Sequence, residues 1–178
     1  MVIAMPAAAR SPMQPALTTP RLQLKAFTSA DAPELHEFFA DPQTHTVGSG
    51  PFTSLAQTER WIANRLIVQR DHGLCWYALR DSASGRLIGN CGMLKGRASY
   101  GQPEIGYEIR ASDRRQGYAA EAAQAVIEQC RTAGLARVWA SIRPHNTGSR
   151  RIAAQLGMHI HRTESDDRGD LNFYFIDL

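Results

Sequence analysis

The stretch from Glu104 to Cys130 constrains this chain most. Glu104-Ile105-Gly106-Tyr107-Glu108-Ile109 carries its large apolar residues at every second position, the period of a strand. Beyond it, Ala119, Ala122, Ala123, Val126, Ile127 and Cys130 recur at the spacing of one helical face. A short turn containing Gly117 must therefore join a strand to the start of a buried helix. The first N–H groups of a helix have no partner within it, and they lie at the positive end of its dipole. That makes the junction a site for a phosphate or pyrophosphate. Gly117 lets a ligand approach the backbone, and Arg114 and Arg115 add charge at the rim. A glycine that merely serves a turn accounts for Gly117 alone equally well. No Gly-Lys-Ser/Thr follows, so this is not a P-loop, and the spacing is not a dinucleotide fingerprint.

The remaining elements follow from the same two periods. Arg21 to Phe27 alternates as a strand, and Thr28-Ser29-Ala30-Asp31 resembles a capping box opening a helix through Leu35, Phe38 and Phe39. Asp41-Pro42 ends that helix. His45 to Pro51 is a loop, and Ser54-Leu55-Ala56-Gln57 caps a second helix through Trp61, Ile62, Leu66 and Val68. Strands over Trp76–Arg80 and Leu87–Leu94 form a hairpin whose glycines predict a bulge or a close backbone contact. Lys95 to Gln102 is a polar loop. After the central strand and helix, Gly134 is a natural C-cap, and Ala136–Arg143 is a further strand. Ser149 caps a short helix with Ile152 and Leu156, closed by Gly157. His159–Arg162 reads as a strand, Ser165 to Asp170 as a charged turn, and Leu171–Ile176 as the last strand. This order gives an α/β or α+β sheet with helices packed on its faces.

At 178 residues, with no dividing linker, the expectation is a loose tail over residues 1–16 and one domain over 17–178. Arg10 follows the apolar residues of that tail, the wrong order for a signal peptide. No apolar run is long enough to span a bilayer, so no membrane role is expected. The net charge of +3 comes from scattered arginines without a basic block, which argues against direct nucleic-acid binding. Cys75, Cys91 and Cys130 have no framework spacing and read as reduced structural thiols of a cytoplasmic protein. The six histidines show no zincin spacing, so no metal is expected. Trp61, Trp76 and Trp139 read as core.

Several motifs share one family resemblance. Arg114-x-x-Gly117-x-Ala119 resembles the acyl-CoA pyrophosphate loop, (Gln/Arg)-x-x-Gly-x-(Gly/Ala), of the GNAT superfamily of N-acetyltransferases. Leu17-Thr18-Thr19-Pro20-Arg21-Leu22-Gln23-Leu24 looks like the opening of its ribosomal-protein (RimJ/RimL-type) branch. Ile88-Gly89-Asn90-Cys91-Gly92, Glu104-Ile105-Gly106-Tyr107, Gly117-Tyr118-Ala119-Ala120-Glu121-Ala122, Asn146-Thr147-Gly148-Ser149 and Leu156-Gly157-Met158 are similar to further motifs of that branch, in the same order. The resemblance implies a mixed, mostly antiparallel sheet of six to seven strands with helices on both faces. It would be splayed between its fourth and fifth strands, Glu104–Ile109 and Arg137–Arg143, by a bulge near Ile109 to Ala111. It implies acetyl-CoA as co-substrate, with backbone of Ile109 and Ala111 on the pantetheine amides and N–H groups of Gln116, Gly117, Tyr118 and Ala119 on the pyrophosphate. Asn146 would contact the pantetheine, and Ser149 would donate to the CoA sulfur. Where many members place a tyrosine acid on the last helix, this chain has Ala153.

Acetyl transfer to an amine needs a proton acceptor and a donor for the developing oxyanion. Glu104 and Glu108 share one strand face by parity, so both are candidates, with Glu104 first as base. Transfer through water without a dedicated base stays open. His45, in the loop expected to line the acceptor pocket, and Glu108 are candidate acceptor contacts. The acceptor is a protein N-terminus or a small-molecule amine, and the protein a monomer or homodimer. Two other readings stay open: a non-catalytic acyl-CoA sensor, and an ATP-binding protein without the P-loop lysine.

Overall fold

A computed structural model describes residues 10–46, 48–96 and 102–178. Among them, eight strands form one sheet: β1 (Ala16–Thr18), β2 (Leu22–Ala26), β3 (Trp76–Asp81), β4 (Leu87–Leu94), β5 (Glu104–Ile109), β6 (Arg137–Ile142), β7 (His159–Asp166) and β8 (Gly169–Asp177). Their spatial order is β1-β2-β3-β4-β5-β6-β8-β7. Four α-helices accompany them: α1 (Ala32–Ala40), α2 (Leu55–His72), α3 (Tyr118–Thr132) and α4 (Thr147–Gln155). None of these helices is long and apolar enough to cross a membrane.

Every strand pair is antiparallel except β5 and β6, which run parallel and share the single pairing Glu104↔Trp139. Beyond that pairing the two strands part. β4 and β5 stay in regular register from Leu94↔Glu104 to Gly89↔Ile109, and the Arg110 N–H still reaches the Ile88 carbonyl at 2.8 Å. The bulge expected over Ile109 to Ala111 is therefore absent. The sheet opens because β5 leaves β6 after one rung, while register shifts lie instead at Leu79/Arg80 and Ile160/Arg162. The first of these fulfils the bulge expected in the β3–β4 hairpin.

Helices cover both faces, as expected. Tyr77, Leu79, Ile88, Cys91, Met93 and Ile105 join the α3 residues Ala122, Ala123, Val126, Ile127 and Cys130 in the larger core. Trp76 and Ala78, of opposite parity on β3, join Leu87 of β4 and Leu35, Phe38, Phe39 and Ile62 of α1 and α2 in a second. Because both faces are covered, β4 is buried from Leu87 to Met93, and burial of each large aliphatic there stabilises the fold by roughly 1.5–3 kcal/mol.

Three boundaries differ from the sequence expectation. The sheet has eight strands rather than six or seven, since Ala16–Thr18 pairs with β2. Within the tail expected over 1–16, residues from Ser11 onward are docked: the Ser11 N–H bonds the Ala133 carbonyl at 3.1 Å, the Met13 N–H bonds the Gly73 carbonyl at 2.9 Å, and the Met13 side chain is buried. One apolar residue with a ready pocket and free backbone partners is enough to hold such a segment; residues 1–9 lie outside the described range. Finally, the charged turn expected over Ser165 to Asp170 is mostly strand, paired as Ser165↔Asp170 and Asp166↔Gly169. β7 is exposed throughout, so backbone pairing with β8 shapes it and no apolar alternation marks its end. The polar loop expected over Lys95 to Gln102 falls, at 97–101, outside the described residues, as does residue 47 of the His45–Pro51 loop.

Candidate active site

Gly117 is the N-cap of α3 with φ +83°, a left-handed conformation that a side chain disfavours. Arg115 is also left-handed, at φ +64°. The first bond of the helix runs from the Glu121 N–H to the Gly117 carbonyl at 3.1 Å. The N–H groups of Tyr118, Ala119 and Ala120 precede it and point out of the helix start. Arg115, Gln116 and Gly117 are exposed beside them. The junction thus has the open backbone donors an anion requires.

Residues far away in sequence brace this turn. Arg21 donates from Nη1 to the Gln116 carbonyl at 2.9 Å and from Nε to Glu121 Oε2 at 2.7 Å, and its guanidinium lies 4.5 Å from the Tyr118 ring centre. The Thr19 hydroxyl donates to Glu121 Oε1 at 2.6 Å. Burial pulls the Glu121 carboxyl upward, yet the bonds from Thr19 and Arg21 outweigh it and hold the group below its usual range. On the other side, Arg86 pairs with the buried carboxylate of Asp113. There too burial works upward, and the bonds from Arg86 and Ser112 win. The Thr-x-Arg opening thus has a structural role that the sequence resemblance did not assign.

Arg114 does not extend over the rim. Its Nε donates to the Ile109 carbonyl at 3.0 Å and its Nη2 to the Thr44 carbonyl at 2.6 Å. The Ala111 N–H is engaged as well, donating to Thr44 Oγ1 at 3.0 Å. Thr44, buried and bonded in turn to Asp41, therefore ties the loop before His45 to the end of β5. No sequence signal marked it.

Across the gap, Asn146 caps α4: its Oδ1 accepts the Ser149 N–H at 3.1 Å. The cap expected at Ser149 is corrected, since Ser149 is the third residue of the helix and the receiver of the cap. A helix beginning at Thr147 needs its side-chain acceptor one residue earlier, and Asn146 supplies it. The Asn146 amide nitrogen and Ser149 hydroxyl remain for a ligand. The Tyr107 hydroxyl reaches from β5 to the Ser149 carbonyl at 3.4 Å, and burial pushes its pKa up to about 12. Ala153 is buried and carries no polar group.

On the opposite sheet face, Glu104 stands where β5 and β6 fork. It is buried, and its Oε2 accepts the Ser141 hydroxyl at 2.8 Å. Glu108, two positions along the same face, pairs with His45, whose Nδ1 lies 3.0 Å from both carboxylate oxygens. The structure thus unites two acceptor contacts expected separately and 63 residues apart. Glu108 and His45 open on a cavity of about 200 Å³ walled by Phe39, Trp61, Trp76 and Arg65. Trp61 and Trp76, read from sequence as core, both pack into the second core and form the cavity's aromatic wall. Gly92 and Gly106 explain the place of Trp76: a Cβ at Gly106 would come within 2.6 Å of its ring, and one at Gly92 within 2.4 Å of its Cα. Trp139 is buried with Leu171 and Phe173. No cluster of metal-ligating side chains occurs among the described residues.

Comparison with known proteins agrees with this geometry. The acetyltransferase (GNAT) domain family matches residues 21–159. An uncharacterised N-acetyltransferase of Bacillus subtilis (strain 168), YoaA, is 30% identical over 148 residues, covering 82% of this chain and 83% of its own length. A GnaT-family acetyltransferase structure from Bordetella pertussis superposes with a TM-score of 0.81 at 24% identity, covering 91% of this chain and 99% of that one. The ribosomal L7/L12 α-N-protein acetyltransferase RimL, solved in complex with coenzyme A, superposes with a TM-score of 0.78 at 18% identity, covering 91% and 97%.

Proposed function

This chain belongs to the acetyltransferase (GNAT) domain family, and from that premise we propose that it transfers the acetyl group of acetyl-CoA to a primary amine in a ternary complex, as an enzyme of the RimJ/RimL type. The observation that carries this is the fork after Glu104↔Trp139, on a strand that lines an amine-sized cavity through Gly106 to Glu108 and leads on to the donor-rich start of α3. The residues present suit an acyl-CoA. N–H groups of Gln116 to Ala119 meet the diphosphate over a glycine that leaves room for it. Backbone of Ile109 and Ala111 meets the pantetheine once Thr44 and Arg114 release it, and Asn146 adds its amide nitrogen.

Acetyl-CoA supplies an activated acyl carbon. Glu104, held in place by Ser141, takes one proton from the bound ammonium so that the neutral amine attacks the thioester carbonyl, and the second N–H proton passes to the departing thiolate. Glu108, oriented by His45, attracts the ammonium form of the acceptor into the cleft. The carbonyl oxygen takes negative charge against a β5 N–H. As the C–S bond breaks, the Ser149 hydroxyl, with the protonated Tyr107 phenol beside it, stabilises the departing thiolate.

The test is thiol release from acetyl-CoA with panels of amines and peptides, in wild type and Glu104→Gln. The variant is expected to bind acetyl-CoA as wild type does while turnover falls about 10²-fold or more. Unchanged turnover and pH profile would remove Glu104 as base. Tight acetyl-CoA binding with no acceptor modified would favour a non-catalytic acyl-CoA sensor instead.

A further inference from the structure

We propose that the acceptor carries a carboxylate close to its amine, and that Arg65 is the group that receives it. Arg65 projects from the middle of α2 into the cavity wall, its guanidinium 4.2 Å from the Trp61 ring centre and 5.0 Å from that of Trp76. It has no hydrogen bond or ion pair with any described residue, and its Nε is cut off from solvent without an acceptor. A half-buried cation of this kind is costly unless something completes it. Burial already pushes its pKa down to about 10, so it stays charged at neutral pH.

A second orphan lies in the same wall. The Trp76 indole N–H, which only donates, bonds Asn90 Oδ1 at 3.0 Å and so fixes the orientation of that amide. Asn90 Nδ2 is then left buried with no acceptor among the described residues. Two donors lacking an oxygen therefore border one cavity, whose other polar occupants are the Glu108 carboxylate and its partner His45. Glu108 suits an ammonium; Arg65 and Asn90 suit an anion. Planar guanidinium nitrogens match a carboxylate in particular.

Size restricts the rest. At about 200 Å³ the cavity is somewhat larger than the roughly 150 Å³ that holds one benzene. It admits about one residue of the acceptor, whose carbon chain lies against Phe39, Trp61 and Trp76. The carboxylate comes either from a free amino acid or from an acidic residue at a peptide's N-terminus.

This inference rests on the acetyl-transfer reading only for what happens to the amine, so binding is the primary measurement. Phenylalanine and leucine, their amides, their decarboxylated amines and a short peptide beginning with Asp are titrated calorimetrically into free and CoA-loaded protein. The expectation is that carboxylate-bearing acceptors bind about 10- to 100-fold more tightly than their neutralised counterparts. Preference for the free amino acid or for the Asp peptide identifies the source. Arg65→Met, checked for folding by its melting curve, is expected to collapse that ratio, and Arg65→Lys to keep part of it. Equal affinities across each matched set, or an equal loss for all ligands in Arg65→Met, would overturn the assignment. Carboxylate preference without acetylation would leave it standing and refute the transferase reading alone.

Discussion

At the residue scale, the candidate acceptor cleft depends on two side chains that are missing. Gly92 lets the Trp76 backbone pack close against β4 and Gly106 leaves room for the Trp76 ring, whose indole N–H holds Asn90. Gly106→Ala would put a methyl 2.6 Å from that ring. We expect a loss of roughly 1–3 kcal/mol in stability from overpacking, together with a change in acceptor KM larger than that in acetyl-CoA KM. Chemical denaturation and two-substrate kinetics check both. The β5 sequence reveals that Glu104 and Glu108 share a face, because strand parity is local. It does not reveal that Glu104 meets Ser141 or that Glu108 meets His45, because those partners come from β6 and from the loop after α1.

At the scale of elements, the start of α3 is held by carboxylate clamps from two other parts of the sheet. Glu121 is bound by Thr19 and Arg21 ahead of β2, and Asp113 by Arg86 just ahead of β4. Both carboxyls have folded pKa values below their ordinary ones. Each clamp therefore adds stability in full above the unfolded values of about 3.9 and 4.3, and the contribution is lost as pH falls through the lower folded values. Melting temperature is expected to be insensitive to these two groups from pH 7 to about 5 and to drop below about pH 4. Asp113→Asn should lower the plateau and flatten that acid limb, as melts across the range would register. Arg21 is 45% exposed, so its contribution is discounted for solvent to about 0.2–1 kcal/mol. Accordingly, Glu121→Gln is expected to weaken acetyl-CoA binding about two- to five-fold by loosening the Gln116–Tyr118 turn, measurable by calorimetry.

Over the whole molecule, the cysteines mark the interior. Cys75, Cys91 and Cys130 are free and buried in the larger core. Desolvation raises all three thiols, Cys75 to about 11 and Cys130 to about 12. Thiolate is the reactive form, so native protein at pH 8 should resist alkylation while denatured protein takes up three equivalents. A thiol that labels at once would contradict the packing of α3 on β4. Labelling rates against denaturant should report global opening, and thiol-based assays of released coenzyme A should run without background from the protein.

The sequence by itself determined most of the elements and marked the candidate anion site. Periods of two and 3.6, caps at Thr28 and Ser54 and the glycine at 117 are local properties, and local sterics and hydrogen bonding suffice to realise them. It also carried the family, through motifs spread from Leu17 to Met158. Tertiary structure alone decided how the sheet opens, since that depends on β5 and β6 sharing one rung. It likewise decided which carboxylate meets which partner, and that Trp61, Trp76 and an Arg65 with no ion pair among the described residues wall one cavity. These contacts join residues up to 102 positions apart. Their geometry follows from strand register and helix placement, which emerge only when both faces of the sheet are buried together.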